Sequence, residues 1–367
     1  MKFNQLSEND RDAFFTLAHL CEPADEIVNQ ALAHHKPVAV IEMLLAGRIK
    51  PLSRPRIHAA FADFQLEKEL ASAEAIGARF ITRGETGWPQ QLECLAEESP
   101  WVLWTLGSAD FRILSLKSVA VVGARACSPY GRTIATGWSA DLSENGLTIV
   151  SGGAIGIDIS AHQGALQVGA PTLCVLAGGV QSRYPISNEQ VFARIMDCGA
   201  IISESPPAQE PRRQRFLTRN RIIAALTLGT LVIEASTRSG TESTATRANQ
   251  MGRTVMGVPG SVHSPESEGV HKLISQGAAL FVASPLDVLR VMKLEPEETL
   301  ARQETSDWRS LTQRELDVWE ALPQRGGCVP ADLIHTANYS LPEIMASLTE
   351  LEIKEMARSD GFLWRRV

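Results

Sequence analysis

Apolar positions along the chain fall into three textures. Up to about residue 75 they recur at helical spacing, as at Phe14, Leu17, Ala18 and Leu20, and Pro23, Pro37, Pro51 and Pro55 punctuate the pattern. The spacing predicts helices over 11–21, 24–34, 38–45 and 56–76, within an N-terminal helical domain spanning 1–78. From Phe80 to about Arg290 the apolar residues gather instead into short β-branched runs: 119–122, 148–150, 172–176, 200–202, 230–233 and 254–258. Helical stretches separate them at roughly 25–30 residues, the spacing of successive βα units, and no run alternates with polar residues, as burial on both faces requires. The class these patterns predict is α/β: an extended Rossmann-like, doubly wound and mainly parallel sheet over 79–290.

The third texture begins after Leu294. Residues 291–310 carry Glu295, Pro296, Glu297, Glu298, Gln303 and Glu304 with few apolar positions, and read as a linker. Over 311–367, three short amphipathic segments and a closing Phe362-Leu363-Trp364 are the parts of a winged-helix-like domain.

Composition narrows the function classes. The 367 residues are 44% hydrophobic and 21% charged, which is ordinary globular composition. No apolar run reaches the ~18 residues of a membrane span, and the N-terminus lacks a signal-peptide core, so a cytoplasmic protein with no membrane partner is expected. Six cysteines are scattered without a C-x-x-C pair or a histidine at ligand spacing, so reduced thiols are expected, with no metal and no cofactor. A net charge of −7 argues against a protein that coats nucleic acid over its whole surface. A local basic groove remains compatible with it, because phosphate binding depends on the field at one cleft.

Ligands of open α/β sheets bind beyond the C-terminal strand ends, where loops lead into helix N-termini. After the first core run, Gly123 and Gly131 permit a tight turn and Arg125 sits where an anion would; a surface arginine on an ordinary turn is the alternative. After the second run come Ser151, Gly152, Gly153, Ala154 and Gly156, whose uncovered amides suit a phosphate nest. Asp158 and His162 follow four apart on one helical face. They read either as an acid–base pair or as a helix-start carboxylate bonded to its neighbour. The stretch Arg212 to Arg221 holds five arginines and one aromatic, Phe216. Arginine forks match phosphate oxygens and an exposed ring can stack a base, a combination suited to single strands; a solvated loop with Phe216 in the core is the alternative. Arg238, Ser239, Gly240 and Thr241 open another hydroxyl-rich helix start.

Taken in order, Val122-Gly123-Ala124-Arg125, Ser151-Gly152-Gly153-Ala154, Gly156-Ile157-Asp158, Ala161-His162, Tyr184-Pro185, Ser203-Glu204, Phe216, Arg219-Asn220-Arg221, Arg238-Ser239-Gly240 and Pro259-Gly260 closely resemble the DNA-processing protein A (DprA/Smf) family. The resemblance spans Val122 to Gly260 and implies an extended Rossmann fold, an N-terminal helical (SAM-like) domain and a C-terminal winged helix. It further implies a homodimer that binds single-stranded DNA, protects it and loads the RecA recombinase during natural transformation. By motif match, Arg125 and Arg219-Asn220-Arg221 would contact phosphate. Gly123, Ser151 to Ala154, Phe216 and Ser239 to Thr241 would complete the site. Three features depart from the pattern: Leu217 replaces a proline, His271 replaces an asparagine, and the pair Glu242-Ser243 replaces an apolar pair. The last places a carboxylate beside the expected anion site.

Gly240-Thr241-Glu242 is also similar to phosphoribohydrolases, in which a glutamate assists N-glycosidic cleavage, although the two-glycine lead into Gly-Thr is missing here. A duplex-binding regulator acting through the terminal winged helix is disfavoured, since that segment carries too little basic charge.

Overall fold

Each β-branched run becomes a strand, because residues apolar on both faces are satisfied only inside a sheet covered on both sides. The computed structural model describes residues 9–51, 57–236, 240–294, 311–323, 327–354 and 356–366. They form two compact units, Met1–Lys293 and Leu294–Val367.

In the first unit the sheet strands are β1 (Arg79–Thr82), β2 (Val102–Leu106), β3 (Ser118–Val122), β4 (Thr148–Ser151), β5 (Thr172–Val175), β6 (Ala200–Ser203), β7 (Gly229–Val232), β8 (Thr254–Gly257) and β9 (Leu280–Phe281). Their order is β1-β2-β6-β5-β4-β3-β7-β8-β9. From β6 to β9 all neighbours are parallel, while β2 joins β6 and β1 joins β2 antiparallel. The parallel part starts at β3, where Val119 stands opposite both Ile149 and Gly229, and winds outward through β4, β5 and β6. It then returns to β7 on the other side. That reversal makes the carboxyl ends of β3 and β7 the topological switch point, where such sheets open a crevice.

The helices of this unit are α1 (Asp10–Leu20), α2 (Glu26–Leu32), α3 (Pro37–Leu45), α4 (Ile57–Asp63), α5 (Leu66–Ala75), α6 (Phe111–Leu116), α7 (Pro129–Glu144), α8 (Ile157–Gln167), α9 (Glu189–Cys198), α10 (Arg213–Leu226), α11 (Gly240–Gln250), α12 (Glu268–Ser275) and α13 (Pro285–Val291). Several start where the sequence supplies a cap. Asp25 accepts from the amides of Ile27 and Val28, and Ser128 accepts from Gly131 with Pro129 in the first turn of α7.

The N-terminal helices are not a separate domain ending at residue 78. Phe15, Leu17 and Ile41 are buried in one core with Trp104 and Ile201 of the sheet. The Phe15 and Trp104 rings lie 5.9 Å apart, and the Trp101 indole donates to Asn29 Oδ1 at 2.8 Å. Periodicity reveals which face of a helix is apolar but not what covers it, so the boundary could not be read from pattern alone.

The second unit holds helices Gln313–Ala321, Leu333–Ala337 and Leu341–Ile353 and a hairpin of β10 (Ala357–Ser359) and β11 (Trp364–Arg366), around Val318, Ile344, Leu348 and Trp364. Thr312 with Glu315 and Ser340 with Glu343 form capping boxes at the first and third helices. The expected linker lies outside the described residues apart from 291–294.

Candidate functional site

Above the switch point lies a cleft of about 940 Å³, walled by the loop after β3, the start of α8, the exposed flank of α10 and the start of α11. Gly123, Arg125, Ala154, Phe216, Arg219, Asn220, Gly240 and Thr241 line it. Ser239 and Arg238 lie outside the described residues.

An aromatic and cationic stack forms the most distinctive surface. The Arg125 guanidinium sits 4.4 Å from the centroid of the Phe216 ring, and Tyr184 meets the same ring edge-on at 6.2 Å. Phe216 is half-buried, so neither solvation nor the core claims it fully, and Tyr184 is 54% exposed. Arg125 and Arg213 are both exposed, and among the described residues neither forms an ion pair. Against Arg125, Arg213 and Arg219 the cleft sets the carboxylates of Asp158 and Glu266, three positive charges to two negative. The Ser264 hydroxyl holds the Glu266 carboxyl below its ordinary range.

The arginine segment divides differently from the sequence reading. Arg212 and Arg215 both turn to Glu22 beside the N-terminal helices, at 3.0 Å and 2.7 Å. Arg221 does not face the cleft: it is 1% exposed and pairs with Glu204 through bonds of 2.6 and 2.7 Å, while donating to the Glu98 carbonyl. Helical geometry explains the correction, since residues two apart point to different sides of α10. Arg219 does reach the cleft, but its Nε and Nη1 donate internally, to Asn220 Oδ1 and to the carbonyls of Gly152 and Val175. Asn220 in turn donates to the Gly240 carbonyl at 3.1 Å, fastening α10 to the start of α11. Arg213, which the motif did not single out, faces the cleft.

The glycine loop after β4 is also corrected. Ser151 is fully buried and its hydroxyl donates to the Val121 carbonyl at 2.6 Å. Gly152 and Gly153 lie behind the cleft wall. A Cβ on Gly152 would overlap the Arg219 guanidinium, and one on Gly153 would come within 2.7 Å of the Phe192 ring. These glycines make room for neighbouring side chains. The amides of Gly152 and Ala154 favour the charged form of the neighbouring Asp158 carboxylate. Burial pushes the Asp158 carboxyl above its ordinary range, with Arg219 and Arg125 opposing. Asp158 and His162 do not pair: His162 Nδ1 meets Thr172 Oγ1 at 2.8 Å, and that hydroxyl donates to the Ile149 carbonyl. Nδ1 must therefore carry the proton. Burial, with Arg219 adding to it, lowers the His162 pKa to about 3, so the ring is neutral.

Glu242 stands outside the cleft lining, paired with Lys272 at 2.8 Å. Its charge is answered locally by the Lys272 ammonium. Among the described residues no cluster of three or more His, Cys, Asp or Glu is arranged to hold a metal, and no helix is long and apolar enough to cross a membrane.

Comparison with known proteins places this geometry. The family model for DNA recombination-mediator protein A matches residues 79–293. The chain is 37% identical over 303 residues to a putative DNA processing protein DprA of Mycobacterium tuberculosis, covering 79% of this chain and 77% of that one. It is 34% identical to the protein Smf of Escherichia coli over 304 residues, covering 80% and 79%. Among solved structures, the DNA processing protein A of Streptococcus pneumoniae aligns with a TM-score of 0.63 at 31% identity, over 76% of this chain and 97% of that one. The Helicobacter pylori protein, whose structure describes a single-stranded DNA binding mode, aligns at 0.53 with 27% identity over 59% and 97%. On the family match and these identities, the chain belongs to the DNA recombination-mediator protein A family.

Proposed function

We propose that the protein binds single-stranded DNA in the switch-point cleft, acting in the cytoplasm as a homodimer that protects incoming strands and loads the RecA recombinase during natural transformation. The observation that carries the DNA reading is the stack of Arg125, Phe216 and Tyr184 beside the exposed Arg213. Aromatic rings at a cleft surface can stack any base, and two arginines without carboxylate partners are available to phosphate. Single-strand binding by the H. pylori relative, and the family's description as a recombination mediator, support the same reading.

The test is a salt titration of oligo-dT binding. Arg125→Ala with Arg213→Ala weakens binding and lowers the log–log salt slope by roughly 0.7 for each phosphate that is no longer neutralised. Both side chains are exposed, so folding is unaffected and circular dichroism stays at wild type. An unchanged slope removes the cleft from the DNA path. For the recombinase, the expected result is faster RecA assembly on strands coated with single-strand binding protein; no acceleration refutes the loading role.

A further inference from the structure

A carboxylate at the bottom of an arginine-lined cleft does not help hold phosphate; it repels it. Asp158 stands in the first turn of α8, is 8% exposed, and lines the same cleft as Arg125, Phe216 and Arg219. Among the described residues no side chain hydrogen-bonds its carboxylate, while the backbone of Gly152 and Ala154 favours its charged form. Two carboxylate oxygens offer about four acceptor sites, so the edge turned to the cleft keeps acceptors unused. Burial already disfavours the charge there, and an arriving pair of N–H donors would stabilise it.

We propose that Asp158 reads the Watson–Crick edge of a nucleobase stacked against Phe216, forming a subsite that prefers guanine. The inference rests on the cleft being the single-strand site. Stacking on a ring is indifferent to base identity, so any preference must come from groups that meet the base edge. An ionised carboxylate only accepts hydrogen bonds. Guanine presents two adjacent donors, the ring N1–H and the exocyclic amino group, which match the two carboxylate oxygens as an arginine fork does. Thymine presents one N–H between two carbonyl oxygens that face the carboxylate unfavourably. Adenine and cytosine each offer one amino group beside an acceptor nitrogen.

The experiment measures binding of a short oligo-dT strand and of the same strand with one central dG, by fluorescence anisotropy. Guanine is expected to tighten binding about tenfold, within the range of one bidentate base contact. 7-Deazaguanine, which keeps the edge, matches guanine, and inosine, which lacks the amino group, loses most of the gain. Asp158→Asn abolishes the preference while oligo-dT binding persists. A wild-type protein that binds oligo-dT but gains nothing from guanine overturns the subsite alone, as does a guanine preference that survives in Asp158→Asn. If neither strand binds, the single-strand reading falls and the subsite with it. Should Asp158→Asn fail to fold, the inosine comparison on the wild-type protein still decides.

Discussion

Arg221→Ala separates the two meanings an arginine in this segment can have. In the structure Arg221 is 1% exposed and Glu204 is 8% exposed, joined by two bonds, with the guanidinium also serving the carbonyls of Glu98 at 2.8 Å and Thr218 at 3.0 Å. Truncation leaves the Glu204 carboxylate in a low-dielectric interior without its counter-charge and the Glu98 carbonyl without its guanidinium donor. Breaking a buried pair from one side costs about 3–5 kcal/mol. Against a typical domain stability of roughly 5–15 kcal/mol, that is about a fifth of the total or more. Urea unfolding followed by far-UV circular dichroism reads the loss as a lower midpoint at unchanged slope. The companion variant Arg221→Met with Glu204→Leu removes both charges and is expected to recover most of it, since a packed apolar pair replaces a buried ion pair at little cost. The folded fraction of Arg221→Ala keeps the wild-type salt slope for oligo-dT. A variant that loses less than about 1 kcal/mol while its salt slope falls by ~0.7 would refute this reasoning and return Arg221 to the DNA surface.

Two further outcomes follow from the charges. His162 titrates near 6.5 when unfolded and at about 3 when folded, so its contribution to stability is complete above pH 6.5 and is lost progressively as pH falls toward 3. At pH 5 the loss is about 2 kcal/mol, and His162→Gln flattens that part of the stability-versus-pH curve; an unaltered curve would count against a buried neutral ring. Glu242→Gln changes oligo-dT affinity by less than about twofold, because Lys272 already answers the carboxylate at 2.8 Å on an exposed surface. A large gain in affinity would instead show that the carboxylate reaches the DNA.

The sheet was legible because its evidence is local. Val119 to Val122 or Thr254 to Val258 carry their own record of burial on both faces, and strand spacing then dictates parallel connections. The site was legible as a set of positions but not as a set of roles. Gly152 reads correctly as a place where a side chain cannot fit, yet the excluded volume is filled by the guanidinium of Arg219, 67 residues later in the chain. Arg219 and Arg221 have the composition of a surface, and only the positions of Gly152, Val175 and Glu204 reveal that both are interior. Glu242 looked inhibitory because Lys272, 30 residues away, is invisible from the motif. Asp158 was weighed with His162, its neighbour on the helix. What acts on it is burial first, with the field of two arginines and the backbone of the preceding loop opposing.

The way α10 is fastened bears on how fast and how tightly a strand can be held. Glu22 grips its first turn, Gly152 and Val175 hold its middle through Arg219, and Glu204 locks the following turn through Arg221. Phe216 and Arg213 ride on a strut with no slack, so the freedom a flexible loop would surrender on meeting a strand has already been given up during folding. The ordering cost of association then falls on the nucleic acid and on exposed side chains such as Arg125 and Arg213, not on the backbone of α10.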